Sequence, residues 1–416
     1  IIYTHNHADH TYGATVFAED STEIYAHDLT EKYLSRVIGI LRPIISSRSS
    51  RMFGNVLPSD EVENNGIGPF LEIGRDGRKP GLLYPTQTFS DQLKLTIGGI
   101  KVELYHAPGE TNDQIFVWLP EKRALFPGDN FYKTFPNLYT IRGTPYRDLV
   151  GWVNSIDMMR YLEPAYLIPS HTRPLAGEKS IYDLLTTYRD AIQYVHDQTI
   201  RLMNKGMGPD DIAETLALPK HLGDSPYLKE FYGTPEWSAK NVFSGYLGWF
   251  DGNPSSLKPL PRLEEAQNII DLAGGWDLLF LEAEQSYFEE KFQWSLQLTD
   301  YLLRVRPDDE KTKLLRKSNL TVLGSKESNP NSRYYYLSSA RELDKNYQPN
   351  DILLPDFEVV KKYPIESMME VLKVNVIPEK SIDKNIRTEM RSGKSRKQAV
   401  AIALSVAKKA KKRRRK

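Results

Sequence analysis

The stretch Ile1-Ile2-Tyr3-Thr4-His5-Asn6-His7-Ala8-Asp9-His10 decides how this chain is read. The apolar pair Ile1-Ile2 reads as the end of a strand, and four metal-competent side chains follow it within six residues. Side chains alternate along a strand, so His5 and His7 fall to one side, while Asp9 and His10 sit in the turn beyond. That geometry supplies two adjacent metal positions rather than one. Neutral imidazoles with a carboxylate suit Zn²⁺ or a similar borderline cation. The chain has eight histidines in 416 residues, and three of them fall in these six positions, which weighs against a surface loop that is His-rich by coincidence.

Outward from this stretch, the first third alternates strands and helices. Leu93, Leu95 and Ile97 alternate, Gly98-Gly99 supplies a tight turn, and Ile100, Val102 and Leu104 alternate again, which predicts a hairpin. Ile115, Val117 and Leu119 predict another strand, and Pro120-Glu121 turns the chain into Ala124 to Phe126. Leu149, Val153, Ile156 and Met159 recur at helical spacing between Arg147 and Leu162, before a short strand from Ala165 to Pro169. After about Glu178 only helices are expected: 180–205, 209–217, 236–249, 263–273 and 276–305. Gly275 to Leu315 resembles one helical-repeat hairpin.

Length and composition bound the class. At roughly 100–200 residues per domain the chain holds two or three. Hydrophobic residues make up 40 % and charged residues 26 %, which argues against wholesale disorder. No window approaches the ~18 apolar residues of a membrane span, so the expectation is a soluble protein of unassigned compartment. The lack of cysteine excludes disulfides, Cys-ligated zinc and a thiol nucleophile. The chain opens at Ile1, with no initiator Met and no signal-peptide pattern, so a fragment or a chain with a segment removed is expected. Charge is unevenly spread. Twelve of the 55 Lys and Arg lie between Arg391 and Lys416, leaving 43 bases against 54 acids in an acidic body.

The His-rich run is the H-x-H-x-D-H signature, and on it the chain resembles the metallo-β-lactamase superfamily. Tyr105-His106-Ala107-Pro108-Gly109-Glu110-Thr111, Leu125-Phe126-Pro127-Gly128-Asp129-Asn130, Asn137-Leu138-Tyr139-Thr140-Ile141-Arg142-Gly143 and Ile168-Pro169-Ser170-His171 are similar to its alkyl sulfatase branch, the type III, zinc-dependent sulfatases. Tyr232-Gly233-Thr234-Pro235-Glu236-Trp237 and the run Gly245 to Pro254 resemble the dimerisation domain of that branch. The resemblance implies an αββα sandwich over 1–178 and an all-helical dimerisation domain over 179–345. It also implies two Zn²⁺ per subunit: His5, His7 and Glu110 on one, Asp9, His10 and His171 on the other, and Asp129 bridging both beneath a shared hydroxide, the nucleophile. A carboxylate at Glu110, where most of the superfamily has His, marks the sulfatase branch. Arg142 offers a planar fork matched to two sulfate oxygens, and Asn137 an amide donor; the matching Asn and Arg of the family bind the sulfate. The implied activity is hydrolysis of long-chain alkyl sulfate esters such as dodecyl sulfate, by a homodimer. Attack at sulfur and attack at carbon are both left open.

Several features depart from the family pattern. The strands that normally precede the H-x-H-x-D-H strand are absent, so an N-terminally incomplete sandwich is expected. Relatives carry a Tyr near the sulfate where this chain has Phe53, a lost hydrogen bond worth about 1 kcal/mol. Residues 346–388 resemble only the opening of a lipid-carrier-like domain. The tail 389–416 is expected to be disordered or a short helix, with a basic run ending Arg413-Arg414-Arg415-Lys416 that suits nucleic acid, an anionic surface or simple solvation. Two rivals stand beside the sulfatase reading. One is a thioesterase or lactonase of the same fold, disfavoured by Glu110 and the Asn137/Arg142 pair. The other is a truncated, non-catalytic protein working through its basic tail.

Overall fold

In the computed structural model the described residues are 1–70, 80–348, 362–366 and 368–369, with side chains omitted for 38–40. The basic tail and nearly all of the lipid-carrier-like segment therefore lie outside the described residues. Two compact units form: Ile1–Ser46 with Asp76–Lys122 and Ile352–Lys416, and Ser47–Arg75 with Arg123–Asp351.

The first unit contains the expected hairpin. Strand β3 (Gln92–Ile97) pairs antiparallel with β4 (Ile100–His106), and β4 with β5 (Ile115–Leu119); β1 (Tyr25–His27) and β2 (Gln87–Phe89) form a separate parallel pair. Gly98 and Gly99 both take positive φ, 59° and 82°, which the two-residue turn demands and which costs glycine least. In this register Val102, Leu104 and Ile115 are buried, with Ile2, Tyr25 and Phe89 packed against them. The opening residues form less strand than the sequence suggests. Ile2 makes an isolated parallel bridge to Tyr25, and Ala8–Thr11 is a single helical turn. Asp9 and His10 thus sit on a helix start rather than in an open turn.

In the second unit β6 (Ala124–Phe126) pairs parallel with β7 (Tyr166–Leu167), which pairs antiparallel with β8 (Leu175–Ala176). Helix α1 (Leu149–Tyr161), N-capped by the Asp148 side chain, packs on the long α2 (Glu178–Met203), whose Ile181, Leu185, Tyr188, Ile192 and Val195 are buried. Helices α3 (Pro209–Thr215) and α4 (Pro235–Leu247) follow, α4 capped by Thr234 with Pro235 at its first turn. Then α5 (Arg262–Leu272), α6 (Trp276–Phe288), α7 (Phe292–Val305), α8 (Glu310–Lys326) and α9 (Pro330–Arg341) follow in chain order, α6 to α9 each packed on the next. Ile270, Leu279, Ala283, Leu298, Leu302 and Leu315 form one of their cores.

One expectation needs correcting: 276–305 is two helices, not one. The break falls at Glu289-Glu290-Lys291, where Glu290 takes φ 60° and Lys291 N–H donates to Ser286 O at 2.9 Å. That is a left-handed C-cap built without glycine or proline, so the sequence carries no breaker signal there. Helices α8 and α9, which the apolar spacing does not predict, start at the caps Asp309 and Asn329. Among the described residues no helix is long and apolar enough to cross a membrane.

Candidate metal centre

In the first unit His5, His7 and Glu110 each offer a ligand atom, and these lie within 4.8 Å of one another. His5 and Glu110 are buried, 0 % and 2 % exposed. His5 Nε2 and His7 Nδ1 face each other at 2.8 Å. Asp9 and His10 stand beside them, with Asp9 Oδ2 3.4 Å from His10 Nε2 and the His5 and His10 rings 4.1 Å apart. Thr4 Oγ1 lies 3.2 Å from Nδ1 of both His5 and His10. With Nδ1–H donating to that oxygen in each case, both Nε2 atoms are left as bases, the outer support that metal-binding histidines commonly have.

Glu110 rides on the loop between β4 and β5. Ala107 N–H donates to Gln114 O, Gly109 N–H to Thr111 O, and His106 Nε2 lies 2.8 Å from Asn112 O. The loop is joined to the His-rich segment at two points. Ile115 N–H donates to Thr4 O at 2.8 Å, and Asn6 Nδ2 donates to Asp113 Oδ1 at 2.6 Å, both side chains being buried. Burial pushes the Asp113 carboxyl above the ordinary carboxylate range, and the Asn6 hydrogen bond works against this. Sequence reasoning passed over Thr4, Asn6 and Asp113. For Asn6, a polar residue set between two histidines was the available signal.

In the second unit Asp129 lies in a short turn, Gly128–Asn130, directly after β6, and Gly128 takes φ 57°. Trp152 of α1 fixes this turn by donating Nε1–H to Asn130 O at 3.0 Å. Asp129 Oδ2 is 3.3 Å from His171 Nε2. Asn137, 1 % exposed, donates its N–H to Tyr132 Oη at 2.8 Å, and its carbonyl accepts from Arg147. Arg142 is partly buried. Phe53 packs beside Met52, Ile67, Tyr132 and Tyr232, so an apolar ring completes a cluster there.

Imidazole nitrogens and carboxylate oxygens, without sulfur, form a donor set that fits a borderline divalent cation. Such donors, carried in the first unit by the His-rich segment and the β4–β5 loop and in the second by the turn after β6, are those of the metallo-β-lactamase class. Residues 1–171 match the metallo-beta-lactamase superfamily, and residues 208–346 match the alkyl sulfatase dimerisation family. A linear primary-alkylsulfatase of Pseudomonas sp. (strain ATCC 19151) is 36 % identical over 408 residues, covering 92 % of this chain and 75 % of that protein. A second linear primary-alkylsulfatase from Pseudomonas sp. is 28 % identical, covering 93 % and 59 %. The solved structure of the stereoselective inverting sec-alkylsulfatase Pisa1 from Pseudomonas sp. shares the fold, with a TM-score of 0.83 at 22 % identity over 92 % of this chain and 62 % of that one. The chain belongs to the alkylsulfatase family, with a metallo-β-lactamase fold and a helical dimerisation domain. It spans 75 % of the length of the first relative but only 59 % of the second.

Proposed function

We propose that this chain hydrolyses sulfate esters of alkyl alcohols, taking up water and releasing inorganic sulfate and the alcohol, with long-chain esters such as dodecyl sulfate as substrates. The observation that carries the choice is the buried carboxylate of Glu110 grouped with His5 and His7. A thioesterase or lactonase of this fold generally places a His there. The ligand assignment is His5, His7 and Glu110 for one divalent metal and Asp9, His10 and His171 for the other, with Asp129 shared; Zn²⁺ suits the donors. Bound by these residues, such cations would supply Lewis acidity and lower the pKa of water.

The chain's own residues do the rest. Thr4 orients two of the imidazoles. Arg142 and Asn137 hold the sulfate head, Arg142 by a planar pair of N–H donors and Asn137 by its side-chain amide. Residues 1–178 are the catalytic part and 179–345 the dimerisation part. The active form is a homodimer whose contact includes the exposed apolar side chains Leu263, Leu272, Leu278, Leu281 and Phe288 on α5 and α6. The test is sulfate release from dodecyl sulfate with and without a chelator. Chelator-sensitive release is expected. Folded, metal-loaded protein that releases no sulfate would overturn the reading.

A further inference from the structure

The segment 136–143 carries both proposed sulfate-binding residues, and other parts of the second unit hydrogen-bond to its backbone at Asn137, Leu138 and Ile141. Asn137 N–H is taken by Tyr132, and Leu138 O accepts from Asn241 Nδ2 at 3.1 Å. Thr140 Oγ1 lies 3.3 Å from Met52 Sδ, and Gly143 N–H donates to Thr140 O at 2.9 Å. Even the approach of Gly233 is specified: a Cβ at that position would lie 1.9 Å from Pro136 O. Two of the grips are cationic. Arg147, 1 % exposed, donates Nη1–H to the carbonyl of Asn137. Arg48 donates Nε–H at 3.2 Å, and a second N–H from Nη2, to the carbonyl of Ile141, which belongs to the peptide preceding Arg142.

We infer that Arg48 and Arg147 are positioning residues for sulfate recognition, each seating the peptide of one anion-binding residue and placing a fixed positive charge behind it. This rests on the reading of Asn137 and Arg142 as the sulfate-binding pair. A carboxamide and a guanidinium reach an anion productively only if the peptides bearing them are fixed, and free rotation of the 136–143 loop would dilute both. A guanidinium grips a carbonyl through paired N–H donors in a rigid fork, so it fixes direction as well as distance. In addition, a cation within about 8–10 Å of a bound anion is not fully screened by salt, and burial weakens the screening further. Arg48 comes from the helix Arg42–Met52 and Arg147 from the residues just before α1. Two elements distant in sequence therefore fix the two ends of one loop, and substrate anchoring extends beyond the residues that touch sulfate.

The test uses the metal-loaded full chain and inorganic sulfate as the probe, read by calorimetric binding and by competitive inhibition of ester hydrolysis. Arg48→Met should weaken sulfate binding and raise KM together by about tenfold, the scale of a lost charge-assisted hydrogen bond. Its kcat should change less than its KM, and metal content should stay the same. Arg48→Lys keeps the charge but not the fork and should fall between the two. Arg147→Lys is the second variant, because removing a buried guanidinium outright also threatens folding; like Arg48→Lys it keeps the charge but not the fork, and a weakening of about threefold to fivefold is expected from it. Sulfate binding in Arg48→Met and Arg147→Lys within about twofold of the parent would overturn the inference. So would a fall in melting temperature with KM untouched, since that marks a merely structural role. Arg142→Ala separates the two levels. If it leaves sulfate binding intact, the reading of the site fails; if it abolishes binding while Arg48→Met does not weaken it, only the present inference fails.

Discussion

Removing the amide of Asn6 tests how the Glu110 loop is held to the histidine segment. Asn6 and Asp113 are both buried, and their 2.6 Å hydrogen bond is a side-chain link between the His-rich segment and the Glu110 loop of the first unit. Asn6→Ala leaves a buried carboxyl short of a donor and opens a small void, a cost of about 2–3 kcal/mol. Asp113→Asn is a much smaller change. Its amide oxygen still accepts from Asn6, and burial already holds the native carboxyl above its ordinary range, so the cost is about 1 kcal/mol or less. The two variants also differ with pH. The folded carboxyl holds its proton to higher pH than the unfolded one, whose ordinary value is 3.8. Stability tied to this group is therefore present below 3.8 and lost as pH rises through the raised folded value. Asp113→Asn lacks that slope, so its cost should shrink from acid to neutral pH. Urea unfolding of metal-free protein measures the stabilities, and titration with Zn²⁺ measures the affinity. Loosening a supporting contact of this kind typically costs about 10–100-fold in metal affinity. Equal destabilisation by the two variants, or an Asn6→Ala cost under about 0.5 kcal/mol, would refute the reasoning.

Three further outcomes are expected. Asp129→Ala should lower bound metal more than His10→Ala, since the proposed assignment shares Asp129 between two ions and gives His10 to one; elemental analysis of dialysed protein decides, and unchanged content in both would sink the assignment. Paired Leu272→Asp and Phe288→Asp substitutions on exposed apolar positions of α5 and α6 should convert a dimer to monomer in light scattering, without loss of helical signal. His27 is buried, its ring is stacked on His106 at 3.9 Å, and Ser90 O, Leu29 N–H and Asp28 surround it. Burial, followed by the charge His106 can carry, pushes its pKa below the ordinary 6.5. Protons therefore favour the unfolded chain, and the stability this group lends is lost as pH falls below 6.5 toward the folded value. His27→Gln should flatten the acid side of a melting-temperature profile, and an unchanged profile counts against it.

Much of this protein was legible in its sequence because the signals are local. Alternation around Gly98-Gly99 gave the β3–β4 hairpin its place, since a period of two and a turn needing positive φ are both written in consecutive residues. The amphipathic stripe of α2 was legible for the same reason. The break between α6 and α7 was not, because Glu290 adopts its left-handed conformation under the packing of the two helices rather than by any preference of its own. The His-rich run announced its chemistry through residue type alone. Its supports, Thr4, Asn6 and Asp113, are ordinary polar residues that gain a role only by what they touch.

By itself, then, the sequence determined the donor types, their order along the chain and the helical or extended character of the segments bearing them. Only the tertiary structure decided that Glu110 meets His5 and His7, that Asp129 meets His171, and that Arg147 and Arg48 hold the ends of the 136–143 loop. The physical reason is register. The Ile115 N–H bond to Thr4 O aligns two segments far apart in the chain, and a slip of one residue there would turn Glu110 away. Such alignment is set by packing of both segments at once, which no local period encodes.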